Sequence, residues 1–128
     1  MRWQLSVVGV MLISALVGCA TTQLYDGPAR PSDQVVRING MRGLDPLGGL
    51  TSALVCKIDD REIDGCAVKV EFLPGVHRLE LKTKRYGITE GTDVIEQEFK
   101  AGERYLLGIR ASPGARKLMP ALIPDRRR

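Results

Sequence analysis

His77 is the only histidine in the 128-residue chain. An imidazole acting as a general base needs a nucleophile within hydrogen-bond reach, and no serine is marked out by its setting. Strand parity sets His77 on the inward face with Leu79 and Leu81, beside the turn at Leu73-Pro74-Gly75. Its expected role is a partly buried ring hydrogen-bonded at a sheet rim; the alternative is a ligand or a base. A zinc site fails because structural zinc wants four protein ligands. The stretch Asp60-Arg61-Glu62-Ile63-Asp64-Gly65, with Glu71 beyond it, approaches the calcium-loop pattern. Glu62 departs from that pattern, and both flanks alternate as strands where such a loop needs helices. A solvated hairpin tip is expected instead. Asp59 and Asp60 are adjacent, so on a strand they point to opposite faces and cannot act as a facing acid–base pair. No catalytic residue, metal or cofactor is expected.

The remaining chemical feature is positive charge. Arg116, Lys117, Arg126, Arg127 and Arg128 are countered locally by Asp125 alone. The arginine fork suits phosphate or carboxylate, which makes these five the candidate residues for an anionic partner. The alternative is a solvated terminus. The formal net charge of +4 is too mild to argue for nucleic acid.

These residues are carried by strands. Gln34–Ile38 is a short strand candidate, followed by a turn signal at Asn39-Gly40 and a loop over Gly43–Gly49. Alternation then runs from Ala53 to Asp59, turns near Arg61, and resumes with Cys66, Val68, Val70 and Phe72 inward and Lys69 and Glu71 outward. After Leu73-Pro74-Gly75, where proline presets φ and glycine accepts positive φ, Leu79 and Leu81 face inward. These three segments read as an antiparallel meander. Arg85–Asp93 reads as a loop. Val94–Phe99 is a strand with Ile95 and Phe99 inward, and Arg104–Ala111 is another with Tyr105, Leu107 and Ile109 on one face. Ser112-Pro113-Gly114 breaks it, and Ala121–Ile123 is at most a short edge strand. The expected class is all-β: a small antiparallel β-sandwich, with a compact barrel as the alternative closure.

The first residues differ in kind. Arg2 precedes an apolar run, Leu5–Leu16, of about 12 residues, the length of a signal-peptide core and well below the roughly 20 that span a bilayer. It ends in Leu16-Val17-Gly18-Cys19. This junction resembles the lipobox of bacterial lipoproteins, which are diacylated on the cysteine and cut just before it. The resemblance implies a helical signal peptide over residues 4–17, removed at maturation, and a lipid on Cys19. In a Gram-negative cell, Ala20 in place of Asp after the cysteine implies outer-membrane sorting, on the periplasmic side; the alternative is the outer face of a Gram-positive cell's single membrane. The polar, Pro-containing Ala20–Asp33 then reads as a tether, reaching at most about 45–50 Å. The division is 1–18 signal peptide, 19–33 lipidated tether, 34–111 sandwich domain and 112–128 basic tail. The mature chain retains 110 residues with 18 basic and 15 acidic side chains, enough for one domain.

With Cys19 assigned to lipid, Cys56 and Cys66 remain as an even pair in an oxidising compartment. If the hairpin turns near Arg61, the two lie opposite each other, with Cys56 on the face of Leu54 and Ile58. A disulfide is expected; two buried thiols are the alternative.

The segments Pro74-Gly75-Val76-His77-Arg78-Leu79 and Ala101-Gly102-Glu103-Arg104-Tyr105 resemble the paired hairpins of an uncharacterised bacterial envelope family related to transthyretin-like or PEGA-like sandwiches. The resemblance implies an Ig-like or transthyretin-like fold in an envelope setting and carries no catalytic residues. The expected function is a non-enzymatic, lipid-anchored binding or structural module. Its expected partners are the membrane and an envelope protein, lipopolysaccharide or peptidoglycan. The alternative is a periplasmic ligand sensor or inhibitor, for example of a wall hydrolase, using the loops at Gly43–Gly49 and Arg85–Asp93.

Overall fold

A computed structural model of the chain describes residues 21–44, 49–111, 114 and 117–126. The expected signal helix and the Leu16–Cys19 junction lie outside the described residues. Ten strands follow in order: β1 (Thr22–Gln23), β2 (Val36–Asn39), β3 (Met41–Leu44), β4 (Leu50–Ile58), β5 (Arg61–Ala67), β6 (Lys69–Phe72), β7 (Gly75–Arg85), β8 (Ile88–Phe99), β9 (Arg104–Ala111) and β10 (Leu118–Pro124). They form a β-sandwich of two sheets. One has the order β1-β6-β2-β9-β10; the other has β3-β4-β7-β8, with β5 also paired to β4.

Pairing is mostly antiparallel, but β1 with β6 and β2 with β9 are parallel, which corrects the wholly antiparallel expectation. The expected three-strand meander is also corrected. β7 pairs with β4, while the chain after β5 leaves that sheet and enters the other as β6.

Two crossings make this corner, and they lie side by side. β2 passes into β3 at Gly40 and β5 into β6 at Val68, and the Gly40 N–H donates to the Val68 carbonyl at 2.5 Å. Asn39-Gly40 is therefore a corner and not a hairpin turn. A Cβ on Gly40 would collide with the carbonyl oxygens of Ala53 and Val68, so the close backbone approach requires glycine.

The core lies between the sheets. Phe72 and Phe99 meet edge to face with centroids 5.1 Å apart, and Phe99 meets Tyr105 at 5.3 Å. Leu79 and Leu81 on β7 and Leu107 on β9 close around them, fully buried, with Ile95 and Ile109 packed at the margin. These inward positions are as expected. On β4 they are not. The register shifts between Val55 and Lys57, so Ala53, Val55 and Ile58 enter the core while Leu54 and Cys56 are buried outside that cluster. A bulge breaks strict alternation by one residue.

The region expected as the loop Arg85–Asp93 is instead the end of a long hairpin. β7 turns into β8 through Tyr86 and Gly87, with φ of 50° and 77° and Arg85 paired to Ile88, as in a type I′ turn. The expected basic tail is interrupted as well: β10 pairs with β9 from Leu118 opposite Ala111 to Pro124 opposite Tyr105, and Pro120 is fully buried. Proline is tolerated because β10 is an edge strand of its sheet.

Candidate functional site

One end of the sandwich is a polar rim where β4 ends and β7 begins. The β4–β5 turn holds Asp59 at φ 51°, a conformation that Asp tolerates better than most residues. Its backbone N–H donates to Arg78 O at 2.7 Å, and its Oδ1 accepts the Arg78 N–H at 3.0 Å. Its Oδ2 lies 2.8 Å from His77 Nδ1. On the other side of the ring, Nε2 lies 2.7 Å from Leu73 O. A carbonyl can only accept, so Nε2 donates to it. The ring also stands edge-on to Phe72, with centroids 5.1 Å apart. His77 thus ties the β4–β5 turn to the β6–β7 turn, with neither nitrogen left open to a ligand. This is the rim histidine that strand parity implied.

Burial raises the Asp59 carboxyl, but the Arg78 N–H, the His77 hydrogen bond and the His77 charge together outweigh it. The carboxyl sits below the ordinary aspartate range. Its side chain is half exposed, 52%, so solvent screens much of this interaction.

Beside this clip lies an open groove of about 780 Å³, whose walls include Leu24, Asp26, Ile58, Asp60, Arg61 and His77. Its far wall is the segment expected as a tether. That expectation is corrected for residues 22–25: Thr22 and Gln23 pair with Val70 and Glu71, Leu24 N–H donates to Glu71 O at 2.8 Å, and Tyr25 is buried. The Tyr25 hydroxyl donates to Glu71 Oε1 at 3.2 Å and accepts the Arg30 N–H at 3.0 Å. Arg37 adds an ion pair to Glu71 Oε2 at 3.7 Å. Glu71 does point away from the core, but this cover buries it. The sequence signal was Tyr25 itself, the one aromatic in a polar stretch.

The expected Cys56–Cys66 disulfide is present, with Cα atoms 4.2 Å apart. Lys57 pairs with Glu62 and Val55 with Ala67, so the bridge staples the base of a wide bulge that holds Ile63, Asp64 and Gly65. Cys66 has φ 60° and turns out of the alternation expected to bring it inward with Val68. The acidic run is not gathered: Asp60 is in the turn, Glu62 and Asp64 are exposed on β5, and Glu71 is in the other sheet. No group of three metal-binding side chains comes together among the described residues.

Of the five basic candidates, Lys117 and Arg126 are described and both are exposed. β10 runs between them, so they sit at opposite ends of the sandwich, about 25–30 Å apart along extended chain. They do not form one patch.

Lys117 lies at the end remote from the rim, where β3 ends, β4 begins and β7 turns into β8. Tyr86 N–H donates to Leu50 O at 2.9 Å, and Leu44 pairs with Leu50. The two loop regions singled out by sequence are thus brought together, although residues 45–48 lie outside the described set. Leu44, Leu50, Tyr86 and Ile88 are 69%, 58%, 65% and 71% exposed. Arg42 and Lys84 both pair across Ser52, and the Arg85 guanidinium stands 6.0 Å from the Tyr86 ring centre. Thr83 Oγ1 donates to Leu118 O, which brings the start of β10, next to Lys117, against β7. No protein-family model, curated protein or solved structure matches this sequence.

Proposed function

We propose that the chain is a lipid-anchored cell-envelope protein whose β-sandwich, of Ig-like or transthyretin-like type, acts as a non-enzymatic binding or structural module at the periplasmic side of the outer membrane. The observation that carries this reading is Leu16-Val17-Gly18-Cys19 at the end of a short apolar run behind Arg2. The Cys56–Cys66 disulfide supports it independently, because disulfides persist in oxidising compartments.

The module's working surface is the rim groove. Asp26, Asp59 and Asp60 line it with Arg61 as the opposing charge, and Ile58 and Phe72 supply apolar floor. This favours an envelope protein or an amine-bearing cell-wall polymer over phosphate-rich lipopolysaccharide. His77 fits a structural role there, since both of its nitrogens are already engaged.

The second reading, an inhibitor or sensor of a wall hydrolase, draws on one observation: the two loop regions meet at one end through Tyr86 and Leu50. Palmitate labelling and membrane fractionation test the main reading. Label and membrane association are expected in the native chain and lost in Cys19→Ser; label that survives this substitution contradicts it. A photo-crosslinker at Arg61 is expected to capture an envelope component, and one at Tyr86 is expected to capture a hydrolase only under the second reading.

A further inference from the structure

We infer that the Leu44–Leu50–Tyr86–Ile88 end of the sandwich rests on an anionic phospholipid bilayer, with the Asp59–His77 rim held away from it. The inference rests on the lipid-anchor reading for its geometry and on separate observations for its chemistry.

The geometry comes from β1. It runs parallel to β6, and β6 runs toward the rim, so the residues before Thr22 lead away from the rim. Cys19 precedes Thr22 by three residues, a reach of about 10 Å. That is a fraction of the span a free 14-residue tether would allow. A lipid on Cys19 therefore holds the sandwich close to the bilayer, with its remote end toward the surface.

The chemistry comes from that end. Four large apolar side chains, at the end of β3, the start of β4, the β7–β8 turn and the start of β8, stand more than half exposed, one of them a tyrosine, a residue favoured at membrane interfaces. Arg42, Lys84, Arg85 and Lys117 accompany them. Glu90, in the register shift opposite Thr83 and Lys84, is the acid that strand pairing brings there among the described residues. Apolar burial combined with attraction of cations to anionic headgroups is the pattern of interfacial binding. The rim is more acidic, with Asp26, Asp59 and Asp60 around its groove against Arg61, and Val76 is its exposed apolar side chain on β7.

The test uses the full chain in a Trp3→Phe background, Trp3 being the only tryptophan, so that one introduced indole reports. Vesicles of phosphatidylethanolamine and phosphatidylglycerol carry bromine on their acyl chains. Tyr86→Trp, with Ile88→Trp as a second reporter, is expected to lose emission on these vesicles; Arg61→Trp at the rim is expected to keep it. Arg42→Glu combined with Lys84→Glu is expected to restore the lost emission. Equal behaviour of the two ends, or emission at Tyr86→Trp and Ile88→Trp that lipid does not reduce, overturns the inference. Unreduced emission with a protein crosslinked at position 86 assigns this end to a protein partner. Mass spectrometry of the same samples reads acylation of Cys19. Its absence sinks the anchor reading, while the emission still decides whether this end meets lipid.

Discussion

The two ends of the sandwich solve the same problem differently. At the rim, Asp59, His77, Tyr25 and Glu71 are all polar groups held in hydrogen bonds that cross between turns or strands. At the remote end the backbone is equally well paired, through Tyr86 to Leu50 and Leu44 opposite Leu50, yet four large apolar side chains stand exposed there among basic ones. The rim's residues hold the fold together. At the remote end Leu44, Leu50, Tyr86 and Ile88 each leave more than half of their surface exposed. Exposed apolar side chains in a contiguous group mark an interaction surface, whereas a satisfied polar clip marks a rigid scaffold.

This contrast can be broken by mutation. The largest effect is expected beneath the rim: Phe72→Ala removes the ring that touches both His77 and Phe99 and should cost about 3–5 kcal/mol in denaturant unfolding. Replacing Cys56 and Cys66 together by Ser should cost about 2–3 kcal/mol, the loop-closure contribution of a short bridge, with the same loss appearing in the native chain under reductant. Tyr25→Phe leaves Glu71 and the Arg30 N–H without their shared hydroxyl and should cost about 1 kcal/mol.

Asp59→Asn should cost less, about 0.5–1 kcal/mol, because the carboxylate is half exposed. Its signature is the pH dependence. The Asp59 carboxyl is lowered in the folded state, so its contribution is present above the unfolded aspartate value near 4 and is lost as pH falls through the folded value. The variant should therefore show a shallower loss of stability on acidification. The smallest effect is expected at the remote end: Leu44→Ser with Ile88→Ser should leave stability within about 0.5 kcal/mol of the native chain. A cost there as large as that of Tyr25→Phe would erase the distinction between scaffold and surface.

The legible part of the fold was the part where alternation runs unbroken. Leu79 and Leu81, Phe99, and Tyr105, Leu107 and Ile109 all point where a period of two sends them, and Pro74-Gly75 marks its turn because proline and glycine impose backbone angles locally. His77 was placed at the rim by the same parity. The rest depended on events that a period of two does not encode. The bulge at Cys56 moves Leu54 off the core face, although the partner of Cys56 was still identified from the hairpin. The corner at Val68 keeps apolar residues coming while it changes sheets, so β6 looked like a continuation of β5.

Gly87 and Gly91 suggested a loop. One supplies a two-residue turn, and the other makes room for the backbone of β10, since a Cβ on Gly91 would collide with Leu118 O. β10 extends the short edge strand expected at Ala121–Ile123 to Leu118–Pro124, because its pairing with β9 supplies what its weak apolar pattern does not show. Tyr25 joined the fold through a tertiary contact with Glu71, 46 residues away, a distance no local pattern spans.

Lipid anchoring through Cys19 is read most directly from the mass of the N-terminal peptide of the protein extracted from bacterial membranes. The expected mass is that of a mature chain that begins at Cys19 and carries a diacylglyceryl thioether on its sulfur. A chain that begins before Cys19, or one that begins there with an unmodified thiol, would contradict it.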